Sequence, residues 1–70
     1  MEYFRQCSLK NNNVSFVAWI SEDLAKKDNW VASDEDGSLW QVETVGTHRV
    51  SKQEVLLNSR MHMKGFESIR

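Results

Sequence analysis

Two short apolar runs within residues 30–45 flank an acidic, glycine-containing turn, and this feature most constrains how the 70-residue chain can fold. Apolar and polar residues alternate along both runs, which is the period-2 pattern of a β-strand. The intervening Asp34-Glu35-Asp36-Gly37 favours a chain reversal, because glycine takes positive φ without steric cost and aspartate bonds its own backbone. The pattern predicts a β-hairpin in which Trp30 and Trp40 meet across the turn and centre a small core.

The length of the chain predicts one domain over residues 1–70. Charged residues make up 27% of the sequence, and no apolar run approaches eighteen residues, so we predict no membrane span. The first residues lack the basic and apolar regions of a secretion signal, which predicts an intracellular protein. Cys7 is the single cysteine, so neither an internal disulfide nor a cysteine-rich zinc site is expected.

Turn signals at about ten-residue spacing predict a mainly β fold. The expected elements are strand 3–9, an asparagine turn at 10–13, strand 14–20, one or two helical turns at 21–27, the hairpin, a turn at 46–47, a short strand at 48–50, and a helix from 52 to about 59. Such a meander favours a small SH3-like antiparallel barrel with a C-terminal helix and a loosely held tail, because closure removes exposed strand edges. The alternative is an open three- or four-stranded antiparallel sheet with the helix packed across one face.

The start of the C-terminal helix has two sequence signals. Ser51 and Glu54 fit a capping box, and Val50 and Val55 stand at the positions of a hydrophobic staple. The helical period then predicts an inward stripe of Val55 or Leu56 with Met63, and three solvated cations: Lys52, Arg60 and Lys64.

Several short motifs distributed over residues 5–64 carry a resemblance to a known family. They are Val17-Ala18-Trp19-Ile20, Glu22 with Leu24-Ala25, Asp34-Glu35-Asp36-Gly37 with Trp40-Gln41-Val42, Val45-Gly46, Arg49 and Ser59-Arg60. Together they resemble short uncharacterised proteins encoded by tailed bacteriophages. The chain departs from that pattern at residues 27–29, where the family usually has a glycine turn, and in a less basic tail. The resemblance implies a phage origin, the cytoplasm of a bacterial host, and an accessory role, but it assigns no catalytic or binding residue.

No set of side chains has the spacing of a catalytic or metal site. Cys7 is in strand phase with Leu9, which predicts a buried and inert thiol. His48 and His62 lie too far apart in sequence to share one helical face, and the acidic turn lacks the closing ligand of a calcium loop. We therefore predict a non-enzymatic protein that needs no cofactor.

Nucleic-acid binding is the alternative function. In this alternative, Trp19 or Trp40 offers a stacking face, and four bases of the C-terminal part contact phosphates: Arg49, Lys52, Arg60 and Lys64. Against this, the isoelectric point is about 6.1, whereas proteins that neutralise phosphates usually carry a clear basic excess.

Protein binding is the favoured function. Residues 14–20 are apolar on both faces, which predicts a central strand or one whose second face meets the C-terminal segment or a partner. Residues 1–47 carry eight acids against four bases, and residues 48–70 carry two acids against five bases, so an acidic loop opposite a basic helix would also suit a homo-oligomer. We predict a phage accessory module that modulates or inhibits a host or phage protein. Its candidate binding residues are Trp19, Asp34, Glu35, Asp36, Arg49, Lys52, Arg60 and Lys64.

Overall fold

Five antiparallel strands form one sheet in the computed structural model, which describes residues 2–58, 61 and 64–68. The elements are β1 (Tyr3–Asn11), β2 (Val14–Ser21), β3 (Trp30–Ser33), β4 (Leu39–Ser51), α1 (Lys52–Leu57) and β5 (Phe66–Ser68). The strand order across the sheet is β2-β1-β4-β3-β5. The prediction of a mainly β fold with one short helix near the C-terminus is confirmed.

The sheet is open, as in the alternative architecture, but it has five strands instead of three or four, and its edges are β2 and β5. No ladder joins these two edges among the described residues, so a closed SH3-like barrel is not observed there. The sheet nevertheless curls enough to bring β2 close to the segment that precedes β5. The Lys64 amide, two residues before β5, donates to the Trp19 carbonyl of β2 at 3.1 Å. β2 is therefore an edge strand that meets the C-terminal segment at one point.

The core lies on one face of this curled sheet. Alternation along β2 was predicted in the right phase, since Ala18 and Ile20 are buried while Val17 on the other face is 55% exposed. The fully buried side chains come from β1, β2, β3 and β4, which is the arrangement expected when each strand contributes alternate residues to a shared interior. They are Cys7, Leu9, Ile20, Val31 and Val42.

The hairpin of residues 30–45 forms as predicted, but the two indoles do not meet. Trp30 pairs with Gln41, and Val31 pairs with Trp40, so the two tryptophans lie on opposite faces of the sheet. Trp40 packs partly buried against the core and meets Phe16 edge-to-face at a centroid distance of 4.7 Å, whereas Trp30 is 43% exposed. The prediction that both indoles centre the core is wrong, because the length of the turn sets a register that offsets them by one residue.

The predictions of a turn at Gly46-Thr47 and of a separate strand at 48–50 are also wrong. β4 runs without interruption through these residues and pairs with β1, and the ladder shifts register at two places. A Cβ atom on Gly46 would lie 2.8 Å from the Gln6 carbonyl oxygen. Gly46 therefore permits a close approach of two backbones at a β-bulge, which is a second common use of glycine within strands.

Two other segments differ from the sequence prediction. At 21–27, where helical turns were predicted, β2 runs to Ser21 and residues 22–28 form hydrogen-bonded turns. Asp28 takes φ +68°, the left-handed conformation that glycine adopts readily. The tail was predicted to be loosely held, but residues 66–68 form β5 on the edge of β3. A main-chain hydrogen bond from the Asp34 amide to the Gly65 carbonyl, at 3.0 Å, extends this contact.

The helix begins where its capping signal predicts. The Ser51 hydroxyl accepts a hydrogen bond from the Glu54 amide at 3.3 Å, and Val55 is buried while Leu56 is 61% exposed. α1 ends at Leu57, earlier than predicted. The proposed inward position of Met63 and the solvated position of Arg60 lie outside the described residues.

Replacing the capping side chain of Ser51 tests whether this cap stabilises the start of α1. Ser51→Ala is expected to lower the free energy of unfolding by about 1 kcal/mol, because the Glu54 amide loses its acceptor. Urea denaturation of the two proteins measures the difference, with Gln53→Ala as a control on the same turn. An unchanged midpoint for Ser51→Ala would mean that the cap contributes nothing to stability.

Candidate binding surfaces

The acidic turn is stabilised by hydrogen bonds within it, and it also forms an ion pair with the C-terminal segment. The Asp36 carboxylate accepts hydrogen bonds from the Ser38 hydroxyl at 2.7 Å and the Ser38 amide at 3.0 Å, and these bonds lower its pKa. Glu35 forms an ion pair with Lys64 at 3.7 Å. Gly37 takes φ +73°, as the turn requires. The carboxylates of Glu35 and Asp36 therefore already have partners within the chain.

A pocket of about 230 Å³ lies where the start of α1 meets the C-terminal segment. It brings together three of the predicted binding residues, Asp34, Lys52 and Lys64. Lys52 also pairs with Glu2 at 3.6 Å. The pocket lining therefore contains both carboxylates and amines, and opposite charges within the chain offset one another there.

Arg49 lies at a separate junction centred on Glu22. The Glu22 carboxylate accepts from Arg5 Nε at 2.9 Å and from Arg49 at 2.8 Å, while the Arg49 guanidinium lies 3.8 Å from the centroid of the Tyr3 ring. The hydrogen bond from Arg5 is the largest cause of a lowered pKa for Glu22, followed by that from Arg49. This junction joins the turn after β2 to β1 and β4.

The lowered pKa of Glu22 predicts a pH dependence. A carboxylate whose pKa is lower in the folded protein stabilises the fold above its ordinary value, here 4.5, and this contribution is lost as the pH falls through the folded value. Glu22→Gln is therefore expected to reduce the loss of stability on acidification below about pH 4.5, as measured by thermal unfolding across a pH series. Glu67→Gln, on β5, removes one carboxylate elsewhere and serves as the control. Equal acid sensitivity in wild-type protein and Glu22→Gln would contradict the role of this junction.

The outer face of the hairpin carries apolar side chains that sequence reasoning did not assign to a surface. Trp30, Ala32 and Leu39 form this hairpin outer patch, in which Ala32 pairs with Leu39 and Trp30 lies one step along the same face. Trp30 is 43% exposed and Leu39 is 48% exposed. A signal was present in the sequence, because Gln41 is in phase with Leu39 and marks that face of β4 as outward.

The predicted binding residues thus fall on several parts of the molecule. Trp19 is half-buried on β2, with its carbonyl bound to the Lys64 amide, and Lys64 in turn pairs with Glu35. Arg49 is held at the Glu22 junction. Arg60 lies outside the described residues. The acidic loop and the basic C-terminal part, predicted to face each other in an oligomer, already make one ion pair within the chain.

The described residues give no further sign of a metal or nucleophile site. Within them, no three His, Cys, Asp or Glu side chains come together as metal ligands. Cys7 is buried as predicted, and burial raises the pKa of its thiol, which keeps it in the less reactive protonated form. His48 is exposed, and His62 lies outside the described part of the chain.

No helix in the described part of the chain is both long and apolar enough to cross a membrane. Searches among protein-family models, curated proteins and solved structures find no match to this chain.

Proposed function

We propose that this protein is a non-enzymatic interaction module that binds another protein through the hairpin outer patch. The sequence resemblance extends the proposal to a tailed-phage accessory protein that modulates or inhibits a host or phage protein in the bacterial cytoplasm. We also propose that the curled sheet is a form of the SH3-like barrel. The hydrogen bond between the Lys64 amide and the Trp19 carbonyl, which joins β2 to the segment just before β5, supports that finer description.

The exposure of Trp30 beside Leu39 is the observation that carries the functional proposal. A tryptophan and a leucine that are each nearly half exposed leave apolar area in water, and covering that area with a partner is favourable. Tryptophan is also enriched among the residues that contribute most to protein interfaces. Charged residues border the patch, since Glu67 pairs with Ala32 and Lys10 pairs with Gln41. An apolar centre with a charged margin is the usual anatomy of a protein interface.

The arrangement of the bases favours this function over nucleic-acid binding. Arg49, Lys52 and Lys64 each lie within 4.0 Å of a carboxylate. A phosphate would have to compete with those carboxylates, and the carboxylates would repel it. The three cations also divide between the Glu22 junction and the pocket beside α1, instead of lining one continuous groove.

Capture from a bacterial lysate, quantified by mass spectrometry, tests the proposal. The wild-type protein is compared with a Trp30→Ala, Leu39→Ser variant and with Leu57→Ser, a control that removes a leucine 87% exposed on α1. We expect at least one bound protein to be lost with the double variant and retained with the control, and to bind the purified wild-type protein directly.

Two results would count against it. Equal retention of every captured protein by the double variant would exclude the hairpin outer patch as the binding surface. Salt-dependent, micromolar binding of the wild-type protein to single-stranded DNA or RNA would instead support the nucleic-acid alternative.

A further inference from the structure

β2 presents an edge whose backbone groups point away from the sheet. In an antiparallel ladder the N–H and C=O of one residue point to the same side, and successive residues alternate. The Glu22 amide, just after β2, donates to Tyr3 of β1, whereas the Trp19 carbonyl accepts from Lys64 on the opposite side. Even-numbered residues therefore face β1, and Ser15, Val17 and Trp19 face outward. In the described residues, Ser15 and Val17 have no ladder partner on that outer side.

This edge lacks the features that commonly prevent strands from pairing with other chains. Residues 11–21 form an uncharged stretch of eleven residues with neither proline nor glycine, and Val14 and Val17 are 58% and 55% exposed. Native edge strands are usually protected by lysine, proline, a bulge or short length. β5, the other edge, is three residues long and carries Glu67, so it has such protection.

We propose that two copies of this chain pair through β2, as antiparallel strands related by a two-fold axis beside Phe16. This surface is separate from the hairpin outer patch, and the proposal does not depend on it. In this register Ser15 of one copy lies opposite Val17 of the other, and each of the two such pairs exchanges two backbone hydrogen bonds. The Trp19 carbonyl keeps its bond to Lys64, because the partner strand reaches its own turn at Asn12-Asn13 opposite Trp19.

The sequence around β2 fits a second copy as the occupant. β2 carries no charged residue, so no like charges oppose each other when two copies of it pair in reverse about Phe16. The free part of the edge is also self-complementary, because Ser15 and Val17 of one copy lie opposite Val17 and Ser15 of the other. Because each copy has one such edge, the contact is isologous and closes as a dimer.

Phe16 and Val14 supply the apolar part of the contact. Both lie on the inner side of β2, where Phe16 is partly buried beside Trp40 and Val14 is exposed. In the proposed register Phe16 lies opposite its own counterpart, and Val14 lies opposite Ala18 of the second copy. Pairing therefore removes exposed valine surface from water while completing the backbone hydrogen bonds of the edge.

A proline at the centre of the edge distinguishes pairing from other contacts. Val17→Pro removes an outward N–H that has no ladder partner among the described residues, so a proline is tolerated there in the monomer. We expect wild-type protein and Val17→Thr, which keeps the N–H, to form a dimer in sedimentation equilibrium over a concentration series reaching the millimolar range. Val17→Pro should raise the dimer dissociation constant by about tenfold or more, because hydrogen bonds are lost from both copies. A monomeric wild-type protein, or a folded Val17→Pro dimer of unchanged affinity, would overturn the proposal.

Disulfide trapping tests the register without a proline. The paired positions are about 5.5 Å apart between Cα atoms, which suits a disulfide. An oxidised mixture of Ser15→Cys and Val17→Cys is expected to yield a covalent heterodimer, whereas Val17→Cys mixed with Thr44→Cys, at an exposed position on β4, should not. Equal cross-linking in the two mixtures would overturn this register, and with it the pairing through β2, even if Val17→Pro fails to fold.

Discussion

Leu9→Ala is expected to lower the free energy of unfolding by about 3 kcal/mol. Leu9 is fully buried on β1, where it pairs with Phe16 of β2 on one side and with Val42 of β4 on the other. Shortening it removes apolar contacts and leaves a cavity between strands that hydrogen bonds hold at fixed spacing. For a domain of this size, such a loss is a large part of the total stability.

Urea denaturation followed by circular dichroism measures this effect. Leu57→Ala is the matched control, because it makes the same chemical change at a side chain that is 87% exposed, and we expect it to change stability by less than about 0.5 kcal/mol. Similar losses in the two variants would contradict the placement of the core on the face of the sheet that contains Leu9.

Trp40→Ala is expected to lower the free energy of unfolding by about 3 kcal/mol, close to the loss for Leu9→Ala. The Trp40 ring packs against the core and against Phe16, and its Nε1 donates to the Ser38 hydroxyl at 2.9 Å. That hydroxyl in turn donates to Asp36, so the indole also stabilises the acidic turn. Its removal therefore weakens packing and turn geometry together.

Trp30→Ala provides the comparison, since it deletes the same side chain from the outer face of the same hairpin. We expect a loss below about 1 kcal/mol, because Trp30 is 43% exposed. Thermal and urea unfolding of both variants measure the two losses of stability. A larger loss for Trp30→Ala than for Trp40→Ala would mean that the two indoles have been assigned to the wrong faces.

The local features of the fold were readable from short stretches of sequence. The asparagine turn places Asn12 at φ +55°, the acidic turn places Gly37 at φ +73°, and Ser51 caps α1 as its spacing to Glu54 predicts. Each depends on a few neighbouring residues and on backbone preferences that act in any context. The phase of β2 was equally accessible, because alternation shows directly in the order of residues.

Features that depend on pairing between distant segments were not readable in this way. Gly46 looked like a turn residue, and only its position against Gln6 of β1 shows that it serves a bulge in a long strand. β5 has three residues, too few for a periodic signal, and it forms because β3 offers it an edge. The candidate binding residues were predicted by their chemistry alone. Which carboxylate each cation contacts, such as Glu35 for Lys64, depends on how the segments come together.

The sequence by itself determined a mainly β chain, the places of its main turns and the start of its helix, because these follow from preferences of neighbouring residues. The tertiary structure alone decided which tryptophan faces the core and which faces solvent, and it made β2 an edge. The physical reason is that cross-strand register assigns every side chain to a face, and that register is fixed by the simultaneous pairing of five strands.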